Sequence, residues 1–98
     1  MIRSYGNTEA QKIFEESKCK KLPNDLLRRS IFLLDLMDNV ESLKDLRVKS
    51  FPPDIRLHKL KGKMKNRHAI DINKSSGWRI TFEYKDGDFI QVCVENYH

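Results

Sequence analysis

The C-terminal half of the chain carries the residue types that metal-free RNA cleavage requires. In that reaction the 2′-hydroxyl attacks the adjacent phosphorus, which needs a base, an acid for the leaving oxygen, and cations for the developing charge. Histidine suits the acid or base role because its pKa lies near neutrality. We predict a catalytic set of His58, Lys61, Arg79, Tyr97 and His98. Spacing alone also allows structural roles, and it leaves open which histidine would be the acid.

Other reaction types find fewer of their residues in this sequence. It contains no glycine-rich phosphate loop, no Gly-x-Ser-x-Gly and no paired acids suited to a divalent metal. Cys19 and Cys93 do not form a Cys-x-x-Cys pair, and no histidine stands at metal-ligand spacing from them. We therefore predict no metal, no cofactor and two reduced thiols.

A run without acidic residues extends from residue 56 to residue 67, in a chain whose formal net charge is +5. Such a run favours an acidic partner, such as RNA, DNA, an anionic membrane or an acidic protein. The alternative is an ordinary solvated turn. The cations of the run, which we predict to contact RNA, are Arg56, Lys59, Lys61, Lys63, Lys65 and Arg67.

The length of 98 residues fits one domain, over residues 1–98, and not two. A domain of this size has little room for an enclosed cavity, so we expect any chemistry on an open surface. No apolar run approaches the roughly 20 residues that span a bilayer. The N-terminus lacks the apolar stretch of a signal peptide. These features predict a cytoplasmic protein with no membrane partner.

The elements that must position these residues begin with helices. Thr8 and Gln11 fit a capping box, which predicts a helix over roughly residues 8–19. Pro23 can start a second helix, and a shorter helical turn is predicted over residues 42–46. The apolar stripe of the second helix consists of Leu27, Ile31, Leu34 and Met37, flanked by Leu26, Ser30 and Leu33.

Strand patterns follow the helices. Short strands are predicted over residues 56–61 and 68–72, and residues 78–84 alternate cleanly between apolar and polar side chains. The last segment alternates too, with Ile90, Val92 and Val94 on its apolar side. A three-residue loop, residues 85–87, would keep all apolar groups of the last hairpin on one face. That register places Cys93 directly opposite Arg79.

One face of this predicted hairpin is polar, while the other is apolar and should pack on the helices. A polar, cationic sheet face that bears an aromatic side chain suits single-stranded nucleic acid. The alternative is the solvated face that antiparallel sheets commonly have. The side chains predicted on the polar face are Arg79, Thr81, Glu83, Cys93, Glu95 and Tyr97.

Four segments resemble the HigB-like plasmid-maintenance killer proteins of the RelE/ParE toxin superfamily. Residues 57–62, Leu-His-Lys-Leu-Lys-Gly, resemble the family's L-H-x-L-K-G segment, and residues 78–82, Trp-Arg-Ile-Thr-Phe, resemble its W-R-I-T-F strand. The turn at residues 86–88 with the terminal Tyr97-His98 resembles the family's ending. The opening Met-Ile-Arg-Ser-Tyr resembles its start. These matches run the length of the chain in order and spacing.

The resemblance implies an α+β, RelE-like fold, in which N-terminal helices pack on one face of a small, mostly antiparallel, twisted sheet. It also implies a type II toxin that enters the ribosomal A site and cleaves mRNA, often at A-rich codons, without a catalytic metal. The implied partners are the ribosome, mRNA and a HigA-like helix-turn-helix antitoxin, with operator DNA bound only through the antitoxin complex. By motif, Arg79 would bind the scissile phosphate, and Tyr97 and His98 would orient a nucleotide and assist proton transfer.

One departure from the family pattern lies at Asn96, where relatives often have aspartate before Tyr-His. Asparagine cannot act as a general base, although it can position RNA by hydrogen bonding. Strict alternation along the last strand also points Asn96 and His98 away from Arg79. Two other readings therefore remain: a non-catalytic or weakened toxin that binds the ribosome or acts as a co-repressor, and a ParE-like gyrase inhibitor.

Overall fold

The structure, a computed structural model, describes residues 1–48, 57–62, 66–73 and 75–96. Within these ranges three helices precede four strands, which form one antiparallel sheet in the order β1-β2-β3-β4. This arrangement confirms the predicted α+β class. None of the described helices is long and apolar enough to cross a membrane. The elements are α1 (Thr8–Glu16), α2 (Asn24–Asn39), α3 (Leu43–Val48), β1 (Leu57–Lys59), β2 (His68–Asp71), β3 (Trp78–Lys85) and β4 (Asp88–Asn96).

Helix α1 begins at the predicted residue 8 but ends earlier than predicted. Its N-cap is Asn7, whose side-chain oxygen accepts from the backbone N–H of Ala10 at 3.0 Å, so the predicted Thr8–Gln11 capping box is wrong. The helix ends at residue 16 rather than 19, because Ser17 adopts the left-handed conformation (φ 58°, ψ 34°) that closes a helix. Asn7 also bonds both the N–H and the carbonyl of Val94, which fixes the start of α1 to β4.

Helix α2 begins at the predicted place, but its buried face is rotated. Leu27 and Ile31, predicted at the centre of the stripe, are only half-buried. Ser30 can lie inside because its hydroxyl donates to the carbonyl oxygen of Leu26 at 2.7 Å. The predicted turn over residues 42–46 is confirmed by α3. The buried face of α2 consists of Leu26, Ser30, Leu33, Leu34 and Met37.

The core lies between the helices and one face of the sheet. Phe82 is fully buried at its centre, stacked on His68 with ring centroids 5.7 Å apart and edge-on to Phe89 at 5.0 Å. Burying an aromatic side chain of this kind stabilises the fold by roughly 1.5–3 kcal/mol. The sheet residues that share this apolar face and are fully buried are Ile70, Ile80, Phe82, Phe89, Val92 and Val94.

The register of the β3–β4 hairpin differs from the prediction. Lys85 pairs with Asp88, so the loop has two residues, Asp86 and Gly87, both at positive φ (52° and 85°). A bulge then shifts the register, because Gln91 and Val92 together oppose Phe82. The bulge restores the apolar side chains of β4 to the core face, and this is how a two-residue loop avoids mixing the faces. Phe89 replaces the predicted Ile90 in the core.

The N-terminal segment lies along the outer edge of β4. Ile2 and Tyr5 form isolated parallel bridges to Phe89 and Val92. Backbone bonds of 2.7–3.1 Å link this segment to β4 from Met1 to Gly6. The segment therefore covers an edge that would otherwise present unpaired backbone groups.

Candidate active site

The face of the sheet that points away from the helices brings two of the predicted catalytic residues together. Residues directly paired across neighbouring strands share a face. His58 pairs with Ala69, which pairs with Thr81, and Thr81 pairs with Cys93. On the same face, two residues away along each strand, Arg79 lies between Asp71 and Glu95. We call this surface the polar face, and it consists of His58, Arg67, Asp71, Arg79, Thr81, Glu83, Cys93 and Glu95.

The corrected register changes the immediate neighbours of Arg79. The predicted neighbour was Cys93, which in the structure pairs with Thr81 instead. Two carboxylates, Asp71 and Glu95, now flank the arginine. Asp71 was missed by sequence reasoning, and the alternation His68-Ala69-Ile70-Asp71 is the signal that could have found it. The guanidinium that we predict to hold a phosphate therefore has acidic residues on both neighbouring strands.

Arg67 organises the centre of the polar face. Its Nη2 donates to the Thr81 hydroxyl at 2.9 Å and to the carbonyl oxygen of Gln91 at 2.7 Å. Its Nη1 lies 3.6 Å from a carboxylate oxygen of Glu83, and only 16% of its side chain is exposed. The structure thus directs the donors of this predicted RNA contact to partners within the protein.

Thr81 connects Arg67 to Glu95 through two hydrogen bonds. The threonine is fully buried, and its hydroxyl donates to Oε1 of Glu95 at 3.0 Å while accepting from Arg67. A hydroxyl has a single proton to donate. Because the arginine occupies its acceptor side, that proton is directed at the glutamate. Arg67, Thr81 and Glu95 therefore form a continuous hydrogen-bonded chain across β3 and β4.

The bulge of β4 is stabilised from both sides. Gln91 has φ 50°, a left-handed conformation that costs an ordinary residue roughly 1–2 kcal/mol. The Ser4 hydroxyl accepts from the Gln91 N–H at 2.9 Å, and Arg67 binds the Gln91 carbonyl. Gly6 passes so close that a Cβ there would lie 2.5 Å from Cys93 Sγ and 2.9 Å from the Gln91 carbonyl oxygen. The N-terminal segment thus contributes to the shape of the polar face.

Cys93 packs within the polar face and does not serve as a nucleophile. Burial raises the pKa of its thiol, and the nearby Arg67 only partly opposes this effect. The Sγ atom lies 3.7 Å from the Gln91 carbonyl oxygen, to which it donates. A thiol with a raised pKa remains protonated at neutral pH and is unreactive.

The remaining predicted site residues are divided between described and undescribed parts of the chain. Lys59 and Lys61 are exposed at the end of β1 and just beyond it. Asn96 pairs with Trp78, so it lies on the opposite face from Arg79, as strict alternation predicted. Outside the described residues lie Arg56, Lys63, Lys65, Tyr97 and His98.

A cleft elsewhere on the molecule does not involve these residues. It has a volume of about 570 Å³ and lies at the connection between α1 and α2, on the helical side of the sheet. Lysines at positions 12, 18, 20 and 21 surround it, and none of the predicted site residues lines it. Within the ranges that the structure describes, no group of three or more His, Cys, Asp or Glu side chains could hold a metal ion.

Comparison with solved structures identifies the class of fold. The chain is similar to a mutant toxin from Helicobacter pylori, with a TM-score of 0.55 at 18% identity, covering 99% of this chain and 96% of the other. It is also similar to a YafQ mutant from E. coli, with a TM-score of 0.52 at 13% identity, covering 97% and 94%. The fold is therefore that of the small RelE- and YafQ-like toxins.

The family follows from the sequence itself. Residues 3–98 match the model of the HigB-like toxins, described as the RelE-like toxin of the type II toxin–antitoxin system HigB. The protein belongs to this family, as the resemblance of its motifs predicted. It is 26% identical over 98 residues to endoribonuclease HigB of Proteus vulgaris, covering 100% of both chains. Membership in a type II toxin–antitoxin family implies an antitoxin partner.

Proposed function

We propose that the protein is a ribosome-dependent mRNA endonuclease, the toxin of its toxin–antitoxin pair. The observation that carries this proposal is that the half-buried side chains of His58 and Arg79 lie on the same polar face of the sheet, in a chain of the HigB-like family. Neighbouring strands are about 4.8 Å apart, so roughly 10 Å separates β1 from β3. RNA lying across β2 would have its phosphate within reach of both side chains.

The chemistry follows from these residue types. The 2′-hydroxyl attacks the phosphorus in line with the 5′-oxygen, and the cut leaves a cyclic phosphate. His58 transfers a proton, and Arg79 holds the non-bridging oxygens as negative charge develops on them. Lys61 adds positive charge at the rim. Tyr97 and His98, which follow β4 directly in sequence, orient the nucleotide and assist proton transfer.

The charge of the polar face supports dependence on the ribosome. Its two arginines are accompanied by three carboxylates, Asp71, Glu83 and Glu95. A face with this balance attracts free RNA weakly, because affinity for phosphates comes mainly from uncompensated cations. The basic run from Arg56 to Arg67 directly precedes β2 in sequence and is free of acids. We infer that it binds ribosomal RNA, while the A site presents the mRNA to the polar face.

The antitoxin in this proposal is a HigA-like helix-turn-helix protein. The toxin itself would meet operator DNA only through that complex. Its net charge of +5 favours an acidic surface on the antitoxin.

The test is cleavage of a defined mRNA with an A-rich codon in the A site of programmed ribosomes. Free mRNA is run alongside, and the new 3′ end is mapped. We expect a cut at the A-site codon that ends in a cyclic or 3′-phosphate and is absent with free mRNA. Arg79→Ala should lower the rate by about 100-fold or more. Arg28→Ala, which removes the same charge from the exposed side of α2, is the matched control and should cleave normally.

Other outcomes would point elsewhere. A folded protein that binds ribosomes without cutting would favour the non-catalytic binding module. Growth arrest with DNA damage and intact mRNA would favour a gyrase inhibitor. An Arg79→Ala protein as active as the unaltered one would contradict the role of the polar face.

A further inference from the structure

A carboxylate lies next to the predicted phosphate-binding arginine on the polar face. Glu95 lies on β4 directly opposite Arg79 and on the same face. Its side chain is half-buried, and Thr81 binds one of its two oxygens at 3.0 Å. Asn96, the next residue, has no basic group and lies on the other face, opposite Trp78. The carboxylate nearest to the predicted phosphate-binding arginine on β4 is therefore at position 95.

We propose that Glu95 is the general base that takes the proton of the 2′-hydroxyl, and that Arg67 and Thr81 position it. This inference rests on the proposed function. Carboxylates serve as general bases when they are fixed within hydrogen-bonding reach of the proton they remove. Here the fixing comes from a chain of two hydrogen bonds that begins at a largely buried arginine.

The positioning chain has a defined direction. Arg67 donates to the Thr81 oxygen, so the only hydroxyl proton of Thr81 is directed to Oε1 of Glu95. Hydrogen bonds that polarise one another along such a chain are strengthened in a low-dielectric setting. With Oε1 held by Thr81, Oε2 is the oxygen that meets the substrate. Arg67 and Thr81 act through Glu95 and are positioning residues.

The proposed step moves two protons and exchanges one phosphorus–oxygen bond for another. The carboxylate of Glu95 takes the 2′-hydroxyl proton as the 2′-oxygen bonds to phosphorus. The bond from phosphorus to the 5′-oxygen breaks, and that oxygen takes a proton from a protonated histidine of the site. The products are a 2′,3′-cyclic phosphate and a 5′-hydroxyl, after which Glu95 gives its proton to water and the histidine takes one back from water. With a carboxylate as base, histidine is needed only as the acid, a role that His58 on β1 can fill from the far side of Arg79.

The decisive variant is Glu95→Gln, because glutamine keeps the shape and the acceptor for Thr81 but cannot take a proton. In the programmed-ribosome assay we expect kcat to fall by about 100-fold or more. The KM for ribosomes should stay the same or fall, since a negative charge near the RNA is removed. The melting temperature should not change. The matched control is Glu41→Gln, which removes the same charge at an exposed position between α2 and α3 and should leave kcat unchanged.

The pH profile separates a base from a structural residue. The rate of the unaltered protein should fall with pH once the histidine acid loses its proton. The residual rate of Glu95→Gln should instead rise with pH and then level off, because hydroxide from the solvent replaces the missing base. A merely structural defect would lower the rate by the same factor at every pH. Arg67→Lys keeps the charge but not the forked geometry, so it should lower kcat with a smaller change in KM.

The outcomes distinguish this inference from the function on which it rests. If the unaltered protein cuts mRNA and Glu95→Gln cuts it at the full rate, the role of Glu95 is overturned, whereas the proposed endonuclease function is upheld. The same holds if kcat is unchanged and only the KM moves. If the unaltered protein does not cut at all, the proposed function is overturned, and the role of Glu95 falls with it.

Discussion

The two faces of the sheet are specified in different ways, although they belong to the same four strands. The apolar face is held by nondirectional burial around Phe82. The polar face depends on individual bonds, such as those from Arg67 to Thr81 and from Thr81 to Glu95. A register shift of two residues would replace Glu95 with Cys93 opposite Arg79. The core is therefore specified by burial, whereas the neighbours of Arg79 are specified by the register.

The largest effect should come from breaking the apolar face. Phe82→Ala removes a fully buried ring that touches His68 and Phe89. We expect a loss of about 3–5 kcal/mol in the free energy of unfolding, measured by chemical denaturation. Phe32→Ala is the control, since that ring is 53% exposed on α2 and should change the stability by no more than about 0.5 kcal/mol. Similar losses for the two variants would contradict the position of the core.

A smaller effect should come from disturbing the bulge without touching the core. Gly6→Ala places a methyl group against Cys93 Sγ and the Gln91 carbonyl oxygen. We expect a loss of about 1–3 kcal/mol in stability together with slower mRNA cleavage, because the strand that carries Glu95 must shift. Adding Cys93→Ala to this variant should restore part of both. If Gly6→Ala is as stable and active as the unaltered protein, the N-terminal segment does not shape the polar face.

The smallest effect on the folded protein should come from reversing charges in the basic run. Reversing the charges of Lys63 and Lys65 should leave the melting temperature nearly unchanged but weaken ribosome binding. The slope of log affinity against log salt should become shallower by about 2. Lys12→Glu with Lys18→Glu, on the helical side, supplies the same change of charge as a control. Binding that does not vary across the salt series would reject an electrostatic role for the run.

The sequence predicted the apolar face of the sheet better than the contacts on its polar face. Alternation over residues 78–84 identified Trp78, Ile80, Phe82 and Tyr84 as core-facing, and the structure confirms it. Helical spacing located α2, although the burial of Ser30 in place of Ile31 shows that one stripe does not fix a rotation. His58 and Arg79 were predicted from residue type and motif, and the structure places both on the polar face. Arg67 was predicted as an RNA contact because it lies in the basic run. Its partners within the protein were missed because they lie 14 and 24 residues away in sequence.

The sequence by itself determined the family, the order of helices and strands, and the apolar side of most of them, because these depend on periodicity and motifs within short segments. Only the tertiary structure decided which residue opposes Arg79. That choice depends on the bulge at Gln91. The left-handed backbone there is stabilised by Ser4, near the N-terminus, and by Arg67, which directly precedes β2. A local pattern cannot report it, since a two-residue turn with a bulge and a three-residue turn without one both keep Val92 and Val94 on the apolar face. The contacts that favour the bulge are formed only when distant segments meet.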